Sequence, residues 1–119
     1  RYDNYLKSTH QTDQWIKALW KFIEADPYYA GNTSLVITTD HGRGTSPMTE
    51  WKGHGTTTLG SNEIWAAALG PNIPAIGEVN SDDLLFQSQI AKTIAAILGY
   101  DYNGGKYEAG DVISTMINK

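Results

Sequence analysis

Asp40-His41-Gly42 is the first group in this chain able to do chemistry. An adjacent carboxylate and imidazole can offer an oxygen and a nitrogen to a divalent cation. The glycine after them lets the backbone turn without a side chain crowding the ion. His54-Gly55 follows thirteen residues after His41, inside a polar stretch rich in Gly, Thr and Ser. Such a stretch can fold His54 back towards Asp40 and His41. Carboxylate and imidazole donors suit zinc and related first-row cations, whereas oxygen-only sites suit magnesium or calcium. The sequence has no cysteine, so thiolate sites and disulfides are excluded and a cation must rely on Asp, Glu and His.

Each of these residues also has a plainer role. Aspartate after a strand is a common turn residue, and a lone Asp-His pair is a weak motif. Arg43 can hold a substrate oxyanion or make an exposed salt bridge. Glu50-Trp51-Lys52 can line a pocket or form a solvated loop with one packed indole. His10, beside Gln11 and Thr12 in a helical stretch, reads as a solvated surface histidine.

Residues 2–25 read as a helix: Tyr5, Thr12, Ile16, Leu19 and Ile23 recur at helical steps, and Trp15, Trp20 and Phe22 widen the stripe. That stripe is expected to be core, buried against a larger partner surface. Asp26-Pro27 ends it. Ser34–Thr39 reads as a strand whose continuous Leu35-Val36-Ile37 fits burial on both faces, as in a parallel sheet between helices. Asp40 and His41 then stand at its carboxyl end, where active sites of open α/β sheets gather. Residues 42–62 form a long polar loop, a length more often functional than idle. Glu63–Leu69 reads as a second strand. Ser81 is expected to cap a helix over Leu85–Leu98, with Gly99 as its left-handed C-cap. The order helix, strand, strand, helix predicts an α/β fold forming part of a three-layer α/β/α sandwich.

Composition narrows the function classes. Apolar residues make up 40% and charged residues 18%, which fits a globular chain. The net charge is −4 with Lys and Arg scattered, so nucleic-acid binding through a basic patch is not expected. Bound divalent cations would still let an acidic chain take an anionic substrate. No apolar run approaches the ~20 residues of a membrane span, and no signal-peptide pattern is present. The absence of cysteine leaves the compartment open. The chain opens on Arg1 rather than methionine, and two strands with two long helices make a poor complete sandwich. We therefore expect residues 1–119 to be one C-terminal piece of a larger catalytic domain, able to self-associate through exposed strand edges and apolar helix faces.

The run Thr38-Thr39-Asp40-His41-Gly42, then Gly53-His54-Gly55, then Ile64-Trp65-Ala66-Ala67-Ala68-Leu69-Gly70-Pro71 resembles the C-terminal third of the alkaline-phosphatase superfamily. Its type I phosphodiesterase, sulfatase and cofactor-independent phosphoglycerate mutase group is the most similar in pattern. Arg1–Leu6, Asp13, Leu19-Trp20 and Asp26-Pro27-Tyr28 resemble the helix preceding the Asp-His-Gly strand in those proteins. The resemblance implies two divalent metal ions, zinc or manganese. Asp40 and His41 would bind the metal shared with the nucleophile, and His54 the second. It implies hydrolysis of small-molecule phosphate mono- or diesters or of sulfate esters. The family's nucleophile (Ser or Thr, formylglycine in sulfatases), its N-terminal metal-binding Asp, and an Asp and His just before the helix have no match here. We therefore expect them upstream of residue 1, and the piece alone to bind metal weakly and lack turnover. The alternatives are a phosphoglycerate mutase-like phosphoryl transferase and a non-catalytic α/β binding module whose tryptophan-rich helix docks on a partner.

Overall fold

The computed structural model describes residues 1–118. The chain divides into two compact units, the first covering Arg1–Thr33 and the second beginning at Ser34.

The first unit is built on helix α1, Tyr2–Ala25, as the apolar spacing predicts. Hydroxyls that would compete with the helix are turned back into it: Thr9 and Thr12 donate to the carbonyls of Tyr5 and Ser8, one turn earlier. Asp26 ends the helix in extended backbone (φ −89°, ψ 121°), the region favoured before proline. Its carboxylate then accepts from the Tyr28 N–H at 2.8 Å, and its carbonyl accepts from Ala30 at 2.8 Å. Of the α1 residues, Ile23 is buried. The expected tryptophan core is not observed: Trp15 is 64% exposed, Leu19 and Phe22 are exposed, and Trp20 is half-buried. Helical periodicity fixes which residues share a face but does not supply the surface that covers it.

In the second unit, β1 (Leu35–Thr38) pairs with β2 (Ala66–Leu69). The pair is antiparallel, with Leu35 opposite Leu69 and Thr38 opposite Ala66. The parallel neighbour suggested by Leu35-Val36-Ile37 is not what β1 has, and these three residues are half-buried rather than covered on both faces. The reason lies in the connection, which contains no crossover helix and doubles back as a long hairpin arm. Gly42 N–H donates to the Ser61 carbonyl at 2.8 Å, Thr45 to Leu59 at 2.9 Å, and Gly44 to Gly53 at 3.0 Å. A short 3-10 turn, Met48–Lys52, forms the far end of the arm. The Glu63 N–H bonds the Gly60 carbonyl in a turn, and β2 starts only at Ala66.

Helix α2 is shorter than the expected Leu85–Leu98: a 3-10 turn, Gln87–Gln89, leads into α2 proper at Ile90–Ile97. Ser81 is not its cap. The Ser81 hydroxyl accepts from the Asp83 N–H at 3.0 Å and donates to the Asp83 carboxylate at 2.8 Å, closing a local turn. The start is set by Gln89, whose Oε1 accepts from the Phe86 N–H at 2.7 Å. Gly99 (φ +78°) closes the other end as expected, with Tyr100 N–H reaching the Ala95 carbonyl. Buried apolar residues in this unit include Ile73, Ile97, Ile113 and Met116. Thr93, fully buried, donates to the Gln89 carbonyl and accepts from the Ile113 N–H at 3.0 Å, which ties the tail to α2.

Candidate metal centre

Asp40 and His41 lie just beyond the end of β1, where the chain leaves the ladder and enters the hairpin arm. The Asp40 carboxylate is held by its own successor: Oδ1 accepts from the His41 N–H at 2.9 Å. His41 Nδ1 lies 2.8 Å from the Gly42 carbonyl oxygen. A carbonyl can only accept, so Nδ1 carries the proton and, in the neutral ring, Nε2 carries the lone pair. A backbone carbonyl that fixes the tautomer of a ligating histidine is a common outer-shell arrangement.

Nε2 then faces Asp40 Oδ2 at 3.5 Å. That is longer than a good N–H···O hydrogen bond. It is close to the separation of roughly 3.4 Å between two donors about 2.0–2.2 Å from one tetrahedral cation. Two electron-rich atoms held at this spacing are a donor set suited to a divalent ion, so the pair fits the group that the resemblance implies.

His54 is brought to the same place by the arm. The Gly44–Gly53 bond draws the returning strand alongside, and the His54 ring stacks on that of His41 with centroids 4.1 Å apart and planes 13° from parallel. Imidazole lone pairs lie in the ring plane, so near-parallel rings do not converge on one ion. Each ring could therefore serve a separate cation, rather than both serving one. Among the described residues no group of three or more His, Cys, Asp or Glu is placed to hold a metal ion. Arg43 is exposed, next in sequence to Gly42, and Trp51 is half-buried on the 3-10 turn.

Two kinds of residue escaped the sequence reading. Gly44 and Ser61 close the arm: Ser61 donates through its backbone N–H to the Thr58 carbonyl and through its hydroxyl to the Gly55 carbonyl at 2.8 Å. Gln87 reaches back from the 3-10 turn before α2 to the Thr39 and Asp40 carbonyls at 3.0 and 2.6 Å. A polar Gln-Ser-Gln run interrupting an otherwise apolar helix pattern was the signal available for it. Comparison with family models, with curated proteins and with solved structures finds no match to this chain.

Proposed function

We propose that this chain supplies part of a two-metal site for hydrolysis of phosphate mono- or diesters or of sulfate esters, within a three-layer α/β/α domain of the alkaline-phosphatase type. The observation that carries the reading is the Asp40 Oδ2 and His41 Nε2 pair at 3.5 Å with the His54 ring stacked beside it. In this reading Asp40 and His41 hold one cation and His54 a second. The Gly42 carbonyl keeps His41 in the ligating tautomer. Arg43 is the group for a substrate oxyanion. Cations held there supply charge stabilisation for an ester oxygen and activation of an attacking one. Three donors do not fill two coordination spheres, so the remaining ligands and the nucleophile are assigned to residues outside these 119.

Titration of the chain with Zn2+, followed through the histidine ring NMR signals, tests the reading. His41 and His54 should respond together and saturate with only micromolar-or-weaker affinity, and Asp40→Asn or His54→Ala should weaken the response at least about ten-fold. Sub-micromolar affinity would contradict the incomplete donor set. Titrations unchanged by both substitutions would favour a binding module instead, a reading supported by the exposed Trp15, Leu19 and Phe22 of α1.

A further inference from the structure

The geometry points to Gln87 as a positioning residue that orients the Asp40 carboxylate for cation binding, a role that rests on the reading of Asp40 and His41 as ligands. Gln87 is exposed, so packing does not dictate its conformation. Its side-chain Nε2 nevertheless meets two consecutive carbonyls nearly fifty residues earlier, those of Thr39 at 3.0 Å and Asp40 at 2.6 Å. Both carbonyls are acceptors, which assigns the NH2 end of the carboxamide to them, one N–H for each. They lie past the last β1 residue, Thr38, where the ladder no longer holds the chain.

The consequence runs through one peptide unit. The Asp40 carbonyl and the His41 N–H are opposite ends of the same planar group. Gln87 holds the oxygen end, and Asp40 Oδ1 accepts from the N–H end at 2.9 Å. With Oδ1 engaged, Oδ2 is the oxygen left facing His41 Nε2 at 3.5 Å. The Asp40 side chain is 87% exposed, so that hydrogen bond, rather than surrounding atoms, selects its rotamer. If Gln87 releases the carbonyl, the peptide plane can swing, the N–H leaves Oδ1, and the carboxylate returns to its free rotamers. Donation to the carbonyl also polarises the peptide and strengthens its N–H as a donor to the carboxylate. A ligand set on a strand end is only as good as what fixes it, and Gln87 is the fixing group from a neighbouring element.

The test compares wild type with Gln87→Met, which keeps side-chain length and removes the donors, and Gln87→Glu, which replaces the NH2 by an acceptor. Two readouts are taken on the full chain: Zn2+ affinity, and hydrogen exchange of the His41 amide without metal. Both variants should exchange that amide at least about ten-fold faster and bind Zn2+ about 10- to 100-fold more weakly, with the unfolding midpoint nearly unchanged. Gln87→Glu is the sharper variant. An added negative charge beside the site would raise cation affinity if charge alone mattered, so a loss there supports positioning and a gain overturns it. Wild-type affinity in Gln87→Met, with binding lost in Asp40→Asn, overturns the role of Gln87 and leaves the cation reading standing. If wild type and Asp40→Asn titrate alike, the cation reading fails by itself. The His41 amide then still decides whether Gln87 orients the carboxylate: exchange unchanged in Gln87→Met overturns it. A variant that does not fold is replaced in this comparison by the other.

Discussion

Gly42 and Gly55 each follow an imidazole directly in sequence, yet only one of them must be glycine. A Cβ on Gly42 would overlap the Gly60 carbonyl oxygen and lie 2.5 Å from that of Glu63. Both obstacles are backbone, on the returning strand of the arm, and cannot rotate aside. A Cβ on Gly55 meets nothing nearer than the Thr58 hydroxyl at 3.7 Å, an ordinary contact. Gly42→Ala should therefore cost about 1–3 kcal/mol by forced backbone displacement. Gly55→Ala should stay within about 0.5 kcal/mol, as for most surface changes. Urea unfolding of the two variants checks this, and equal losses would mean that the arm does not close over Gly42 as described. The contrast bears on the site, because the Gly42 N–H bond to Ser61 and the Gly44 bond to Gly53 bring His54 alongside His41. The sequence marked Gly42 as a permissive turn residue and left Gly55 without a role. Which one a close approach requires depends on contacts with residues nearly twenty positions away.

Among the elements, the join between α2 and the tail includes one buried hydroxyl. Thr93 accepts from the buried Ile113 N–H, and Gln89 Nε2 donates to the Asp111 carbonyl at 2.9 Å. Thr93→Val keeps the volume but leaves that N–H unpaired, at a cost of about 1–3 kcal/mol. Thr93→Ser keeps both bonds and loses a methyl, about 1 kcal/mol. Limited proteolysis should find the chain beyond Gly110 cut faster in the valine variant than in the serine variant, and the reverse order would remove the hydroxyl from this role. Periodicity made α1 and the C-terminal end of α2 legible, since Ile90, Ile94 and Ile97 repeat at helical steps and Gly99 follows with positive φ. The start of α2 was not legible because Leu84, Leu85 and Phe86 extend the apolar run upstream. These three are in fact 81%, 52% and 61% exposed, and Gln89 sets the boundary by bonding the Phe86 N–H. Strand direction was equally hidden: Leu35-Val36-Ile37 looks the same beside either neighbour. The arm's hydrogen bonds, made between residues with no apolar pattern, decide that β2 returns antiparallel. The Asp-His-Gly and His-Gly pairs could be read because ligand chemistry limits the residue types. For Gln87 the Gln-Ser-Gln run marks a break in the apolar pattern, but its partners stay hidden, since a carboxamide bonded to main-chain carbonyls imposes no pattern on them.

At the scale of the whole molecule the balance of covered and uncovered apolar surface sets the expected behaviour. Both units expose large apolar side chains: Trp15, Leu19 and Phe22 along α1, and Leu84, Leu85 and Phe86 before α2. Among the described residues the sheet has two strands, so β1 and β2 each pair along one side only. Contiguous exposed apolar surface and unpaired strand edges are the features through which chains associate. The net charge of −4 opposes close approach only weakly, because repulsion between surface charges is screened within about 8 Å at physiological salt. Sedimentation velocity should therefore show a weight-average coefficient that rises with concentration over roughly 10 to 500 μM, a range suited to weak contacts. Two variants separate the routes. Trp15→Lys with Phe22→Lys charges the helix face, whereas Ala67→Pro, at an exposed β2 position, disfavours pairing with a further strand because proline has no N–H to donate. Loss of association in the lysine variant alone assigns the contact to α1, and loss in the proline variant alone assigns it to the strand edge. A coefficient that stays flat for wild type across the whole range would mean that neither surface is adhesive. The exposed tryptophan and the open strand edges would then be tolerated features rather than an interface.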